Sequence, residues 1–121
     1  MKSLRWITLV LMLLAVTFPA LVRAGENAVA MPLVIDVRTE QEWKEGHLEG
    51  ALLIPYEKIG EEIGKVAPDR KAKIVVYCRT GRRSGIALDT LKKQGYEDVT
   101  NLINAKEASE KLQIPVVKGD K

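Results

Sequence analysis

The sequence predicts an α/β domain with a mainly parallel central sheet and helices on both faces. Short apolar segments alternate with helical patterns along the chain, as in folds whose parallel strands are joined by helices. Residues 74–77 are continuously apolar and mostly β-branched or aromatic, which is typical of a strand buried on both faces. A helical pattern of Ala87, Leu88 and Leu91 follows this strand and stops at Gly95.

Residues 1–24 have the features of a cleavable secretory signal peptide. Lys2 and Arg5 form a basic start, residues 7–16 are almost continuously apolar, and residues 22–24 resemble a cleavage site. Pro19 and Arg23 interrupt the apolar run before it reaches the roughly 20 residues that a spanning helix needs. We therefore expect cleavage after Ala24 and a periplasmic protein that is not membrane-bound afterwards, with an uncleaved anchor as the alternative.

The charge balance of the chain changes when this leader is set aside. The leader carries three of the 19 basic residues and none of the 16 acidic ones, so the net charge of +3 belongs to it. A formally neutral remainder does not indicate nucleic acid or an acidic membrane as a partner. We expect a flexible lead-in over residues 25–32 and one monomeric domain over residues 33–121, ending in a short tail.

The first strand and helix of the domain are predicted from local signals. Leu33–Val37 is expected to form a core strand. Thr39, with Glu42 three residues later, forms the capping box of a short helix that ends near Gly46.

Asp36 and Arg38, at the carboxyl end of that strand, are candidate supporting residues of a site. They could shape its rim, although a structural ion pair that braces the turn is the favoured interpretation. His47, the sole histidine, is expected to bond backbone in the turn over residues 46–50 rather than to act as a base. With one histidine and one cysteine in the chain, no metal site is expected.

The remaining elements follow from apolar spacing and breakers. Helix 56–66 is expected to bury Ile59, Ile63 and Val66. The other predicted elements are a strand at Ala51–Ile54, a strand at Val99–Leu102, a helix at Ala105–Leu112 and a tail at Gln113–Lys121, whose residues 114–117 pack on the domain.

The loop after the central strand is the proposed active site. Cys78 stands at the carboxyl end of the strand, where open α/β sheets bind ligands. The turn that follows contains Gly81 and three arginines (Arg79, Arg82 and Arg83), and Ser84 has the residue type of a helix N-cap. A thiol near a helix N-terminus and guanidinium groups should have a depressed pKa and react as a thiolate.

A lone cysteine is more often a small buried hydrophobe. Two observations favour a reactive role for Cys78. A structural cysteine has no use for converging positive charge, and an exported chain with a single cysteine exposes its thiol to oxidation without forming an internal disulfide.

A set of motifs, in order and spacing, resembles the rhodanese-type sulfurtransferases over about residues 33–103. The matching pieces are Cys78–Arg83, Asp36-Val37-Arg38, Glu42-Trp43, Gly46–Ala51 with Ile54-Pro55, Gly95-Tyr96 and Val99–Leu102. The chain departs from the family in having Asn104-Ala105 where Gly-Gly is frequent.

The resemblance implies a thiosulfate sulfurtransferase with a rhodanese-like fold. Cys78 would take the outer sulfur of thiosulfate as a persulfide and pass it to cyanide or to a thiol, which can belong to a protein. The loop residues Arg79, Thr80, Gly81, Arg82 and Arg83 would bind the donor, with Arg82 the favoured arginine, and Ser84 would support them. No cofactor is expected, because the sulfur is carried on the protein.

Two alternatives remain open. The first is a sulfane-sulfur carrier or stress-response binding module with incidental turnover. The second, weaker alternative is a cysteine phosphatase, whose loop has arginine as the sixth residue after cysteine; here that residue is Ser84.

Overall fold

The structure, a computed structural model, describes residues 31–120 of the chain. The predicted signal peptide, its cleavage site and most of the lead-in lie outside the described residues. In chain order the elements are β1 (Leu33–Asp36), α1 (Glu40–Glu45), β2 (His47–Leu48), β3 (Leu52–Leu53), α2 (Ile59–Val66), β4 (Lys73–Cys78), α3 (Arg82–Lys93), β5 (Asp98–Asn104), α4 (Ala105–Leu112) and β6 (Val116–Val117).

The main sheet has four strands in the order β3-β1-β4-β5, and every pair is parallel. This confirms the predicted parallel sheet. Because parallel strands end at the same edge, the sheet brings the carboxyl ends of β1, β4 and β5 together. Asp36 is in register with Tyr77, and Cys78 is in register with Asn104 after an irregularity in the β4–β5 pairing.

Helices cover both faces of the sheet, as predicted. Alternate residues of β4 point to opposite sides. Ile74 and Val76 join a core with Ile63 of α2 and Leu91 of α3, whereas Val75 and Tyr77 join a second core beneath α1 and α4. All residues of β4 after Lys73 are buried, so β4 is the central strand of the domain.

The prediction that Val66 belongs to the buried face of the second helix is wrong. Ile59 and Ile63 are fully buried, but Val66 is 41% exposed, and Ala67 occupies the inner position instead. The helix also begins at Ile59 rather than at residue 56. Val66 is the last residue of this helix and lies on the exposed side of its final turn.

The last helix and the tail complete the second core. Asn104 caps α4, because its side-chain oxygen accepts the Glu107 N–H at 2.8 Å, so the helix starts at Ala105 without the frequent Gly-Gly. The tail packs on the domain through β6, which pairs antiparallel with β2.

Over residues 31–120, no helix combines the length and the apolar character that crossing a membrane would require.

Candidate active site around Cys78

Cys78 is the last residue of β4 and is 1% exposed. Two donors converge on its sulfur. The Gly81 N–H lies 3.1 Å from Sγ, and the Ser84 hydroxyl oxygen lies 3.4 Å from it. The sulfur therefore lies inside a turn that places a backbone N–H and a hydroxyl within hydrogen-bond distance of it.

The pKa of Cys78 reflects a balance between burial and these donors. Burial by itself raises the pKa, because it disfavours the charged thiolate. Hydrogen bonds from the side chain and backbone of Ser84 and from the backbone of Thr80 and Gly81 outweigh burial and lower the pKa from 9.0 to about 7. The depressed pKa that the sequence predicts is present, and its cause is hydrogen bonding within the loop.

The helix after the loop begins earlier than the sequence indicated. Ser84 is not the N-cap; Gly81 is, with a φ of +91°, and Arg82 is the first residue of α3. Only glycine adopts this backbone conformation readily, and a Cβ at Gly81 would lie 3.1 Å from the Ile103 side chain. Starting the helix at Arg82 turns Ser84 inward, where it is fully buried and can reach Cys78.

Asn101 of β5, which was not among the predicted site residues, links the loop to that strand by hydrogen bonds. Its amide nitrogen donates to the Gly81 carbonyl at 3.1 Å, while its oxygen accepts from the Ser84 hydroxyl at 2.7 Å and from the Ile103 N–H at 2.9 Å. One sequence signal could have indicated this role. Asn101 places an amide side chain inside a predicted apolar strand, close to the sheet edge that carries Cys78.

The three loop arginines have different surroundings. Arg83 donates two hydrogen bonds to Glu42, at 2.8 and 2.9 Å, and Arg79 Nε lies 3.0 Å from the same carboxylate. Arg82 is exposed, and within the described part of the chain it has no carboxylate partner. Arg82 is thus the loop arginine whose charge is not engaged by the protein, whereas Thr80 is exposed and contributes its backbone N–H.

Asp36 and Arg38 form a buried ion pair at the end of β1. Arg38 Nη2 lies 2.6 Å from Asp36 Oδ2, and the Arg38 backbone N–H donates to Asp36 Oδ1 at 2.9 Å. The same Nη2 group donates to the Gly46 carbonyl at 2.6 Å. Although burial works against the charge on Arg38, bonding to Asp36 leaves its pKa raised. These contacts fit the structural interpretation, because they brace the turn between β1 and α1.

His47 bonds backbone, as predicted. Its Nδ1 lies 2.7 Å from the carbonyl oxygen of Trp43, a residue of α1. The two aromatic rings stack with centroids 3.5 Å apart. This stacking holds the histidine ring over α1 in the buried interior.

An open cleft of about 380 Å³ lies between α1, β3 and the tail. Its lining residues are Glu40, Trp43, Lys44, Leu53 and Asp120, none of which belongs to the cysteine loop. We place the candidate site at the loop, because within residues 31–120 only the loop combines a nucleophile with converging donors.

Comparison with known proteins matches the chain and its fold to one family. The model of the rhodanese-like domain family matches residues 19–110. Over 109 residues the chain is 35% identical to the thiosulfate sulfurtransferase PspE of Escherichia coli, covering 90% of this chain and 95% of that protein.

Two further matches agree. The chain is 46% identical over 71 residues to the probable adenylyltransferase/sulfurtransferase MoeZ of Mycobacterium tuberculosis, covering 57% of this chain but 18% of that longer protein. A solved structure described as a rhodanese with anions from E. coli superposes with a TM-score of 0.66 at 35% identity, covering 73% of this chain and 99% of that one.

Proposed function

Since this chain belongs to the rhodanese-like family, we propose that it is a thiosulfate sulfurtransferase that carries sulfur on Cys78. The observation that supports this most directly is the environment of the thiol. A pKa of about 7 leaves about half of the sulfur ionised at neutral pH. The thiolate is the nucleophilic form of cysteine, so the loop supplies a reactive group without a separate base.

In the first step, the Cys78 thiolate attacks the outer sulfur of thiosulfate. A bond forms between Sγ and that sulfur, the sulfur–sulfur bond of the donor breaks, and sulfite leaves with the electron pair. The product is a Cys78 persulfide anion. The loop N–H groups that bond the thiolate would stabilise this anion in the same way.

Arg82 is the proposed contact for the donor. It is exposed at the first turn of α3 and has no carboxylate partner in the described region, so it can bind the sulfonate oxygens of thiosulfate. Arg79 and Arg83 would have to leave Glu42 to bind the donor in the same way.

In the second step, an acceptor nucleophile such as cyanide or a thiolate attacks the outer sulfur of the persulfide. The persulfide bond breaks and its electron pair returns to Sγ, which restores the Cys78 thiolate. Both steps are balanced without an external oxidant or a cofactor, because the sulfur stays at one oxidation level throughout the exchange.

Intact-mass measurement after incubation with thiosulfate tests the proposal. We expect the mass of one sulfur atom to be added to the wild-type protein and removed again by cyanide. Cys78→Ser should fold but gain no mass and transfer no sulfur, since a hydroxyl cannot form a persulfide. Sulfur transfer by Cys78→Ser would contradict the assignment.

A sulfur carrier with incidental turnover would use the same persulfide. Donor saturation separates the two functions. An enzyme for thiosulfate should saturate at plausible donor concentrations, whereas a carrier loaded by another protein should show a rate that stays linear in thiosulfate.

We also propose that the protein works in the periplasm. The proposal rests on the basic start, apolar run and cleavage-type sequence of residues 1–24. In that compartment a persulfide on a buried cysteine would be the form in which the protein holds sulfur.

A further inference from the structure

The Glu42 carboxylate contacts two arginines of the cysteine loop. It lies in α1, yet it accepts both hydrogen bonds of the Arg83 guanidinium and contacts Arg79. Bidentate pairs of this kind are among the strong interactions of side chains. Arg79 also has Glu45 at 3.7 Å, so α1 supplies the carboxylates for two of the three loop arginines.

Hydrogen bonds from Thr39 also fix the position of the Glu42 carboxylate. The Thr39 backbone N–H and hydroxyl lie 3.2 and 3.0 Å from its Oε1, as parts of the capping box that starts α1. Hydrogen bonding from Arg83, opposed by partial burial and assisted by Thr39, lowers the pKa of Glu42 to about 2. Glu42 therefore carries its negative charge at neutral pH.

This charge acts on the reacting sulfur through Arg83. Arg83 directly precedes Ser84, whose hydroxyl lies 3.4 Å from Cys78 Sγ, so the Arg83 guanidinium belongs to the loop that surrounds the sulfur. Bonding to Glu42 and, to a smaller extent, the charge of Cys78 raise the pKa of Arg83 against the effect of burial. A negative charge bonded to that guanidinium offsets part of its attraction for any anion arriving at Cys78. Coulomb energy scales with charge, so a dianion loses about twice as much attraction as a monoanion.

We propose that Glu42 is a specificity-determining residue that lowers the preference of the Cys78 site for dianionic sulfur donors relative to monoanionic ones. This inference rests on the proposed sulfur transfer. Among anionic donors, it identifies those with one negative charge, such as organic thiosulfonates, as the class whose attraction to the loop Glu42 weakens less than that of thiosulfate.

Both donor classes react by the same bond changes, so they form a matched pair. A thiosulfonate anion gives its outer sulfur to the Cys78 thiolate, its sulfur–sulfur bond breaks, and a sulfinate leaves with the electron pair. Thiosulfate does the same with sulfite as the leaving group. The two donors differ by one negative charge at the group that faces the loop arginines.

The test compares kcat/KM for thiosulfate with kcat/KM for methanethiosulfonate in wild type and in Glu42→Gln. We expect the ratio of the two to rise roughly three- to tenfold in the variant, as one unit charge near a protein surface would produce. The rise should shrink at high ionic strength, because salt screens exposed charges. A residue that only supports the fold would lower both values together and leave the ratio unchanged.

Three further variants serve as controls. Glu42→Asp keeps the charge and should keep the ratio near the wild-type value. Glu45→Gln makes the same change in net charge at a residue whose contact is with Arg79, and it should change the ratio less. Glu42→Ala removes the charge without adding an amide and provides the second measurement if Glu42→Gln does not fold.

A second readout does not require sulfur transfer. The ratio of Cys78 alkylation rates by iodoacetate and by iodoacetamide reports the local charge, and we expect it to rise in Glu42→Gln by a similar factor. If neither donor loads Cys78 but this ratio rises, the proposed function fails while the charge role of Glu42 stands. An unchanged or lower ratio in both measurements overturns the inference.

Discussion

The hydroxyl of Ser84 donates a hydrogen bond to Asn101 Oδ1 at 2.7 Å, immediately behind the reactive sulfur. The same hydroxyl lies 3.4 Å from Cys78 Sγ, and it has one proton to donate. The shorter distance indicates that the hydroxyl donates its hydrogen bond to Asn101 while Cys78 is a neutral thiol. We expect the proton to turn to the sulfur when the thiol ionises, because a charged acceptor binds a donor more strongly.

This arrangement predicts that Ser84→Ala raises the pKa of Cys78. Losing a donor to the thiolate disfavours the anion, so the pKa should move from about 7 towards 9.0. A bond to a charged group is worth about 1.5 kcal/mol or more, roughly one pH unit. The rate of alkylation by iodoacetamide, followed against pH, gives the midpoint. The matched control is Ser109→Ala, whose hydroxyl bonds the Ile114 carbonyl instead. An unshifted midpoint in Ser84→Ala would refute the role of its hydroxyl.

Arg82→Ala should weaken the use of thiosulfate and leave the cysteine reactive. Removing a charge-assisted contact costs about 1.5–3 kcal/mol, roughly 10- to 100-fold in kcat/KM. Alkylation of Cys78 by neutral iodoacetamide should stay near the wild-type rate. Arg79→Ala is the comparison, and it should cost less, because the Arg79 guanidinium is already bonded to Glu42. A larger loss in Arg79→Ala than in Arg82→Ala would transfer the donor contact to Arg79.

Asp36→Ala should destabilise the domain strongly. It leaves the buried Arg38 guanidinium without its carboxylate, and an uncompensated buried charge costs about 3–5 kcal/mol. Urea unfolding measures the free energy of unfolding. The control is Glu40→Ala, which removes an exposed ion pair with Lys44 in α1. It should lower the free energy of unfolding by about 1 kcal/mol or less. Equal losses in the two variants would show that burial of the Asp36–Arg38 pair has little effect.

Export predicts a mature protein that begins at Gly25. N-terminal sequencing of material from the periplasmic fraction checks both the cleavage site and the compartment. Replacing Lys2 and Arg5 with uncharged residues should reduce export, since the basic start of a leader directs its insertion. Protein with an intact Met1 in the cytoplasmic fraction would contradict the prediction.

Local signals were sufficient for the central strand, the cysteine and the order of the elements. Continuous apolar residues identify β4, and the position of Cys78 directly after them implies the carboxyl edge of the sheet. The capping box of Thr39 and Glu42 is equally local, since both partners lie within one helical turn, and it is present in the structure.

The missing parts of the site depend on contacts between distant segments. Asn101 follows Gly81 by 20 residues and Ser84 by 17 residues in the chain, and the β4–β5 pairing brings them together. Glu42 reaches Arg83 from another helix, so its second role was hidden behind its role as a cap. Serine is a good N-cap residue, but Ser84 is not the N-cap here, because the left-handed conformation of Gly81 starts the helix three residues earlier.

The C-terminal tail contacts α1, the helix that carries Glu42, so the stability of the tail affects a helix that bonds the cysteine loop. β6 is two residues long and pairs with β2, and beside it the Gly119 N–H donates to the Lys44 carbonyl of α1 at 2.9 Å. So short a strand opens far more often than the central sheet, and backbone amides that it protects exchange with solvent by this local opening. The amide protons of β2 and β6 should therefore exchange with deuterium much sooner than those of β4. Each such opening releases one end of α1, the helix from which Glu42 reaches the cysteine loop.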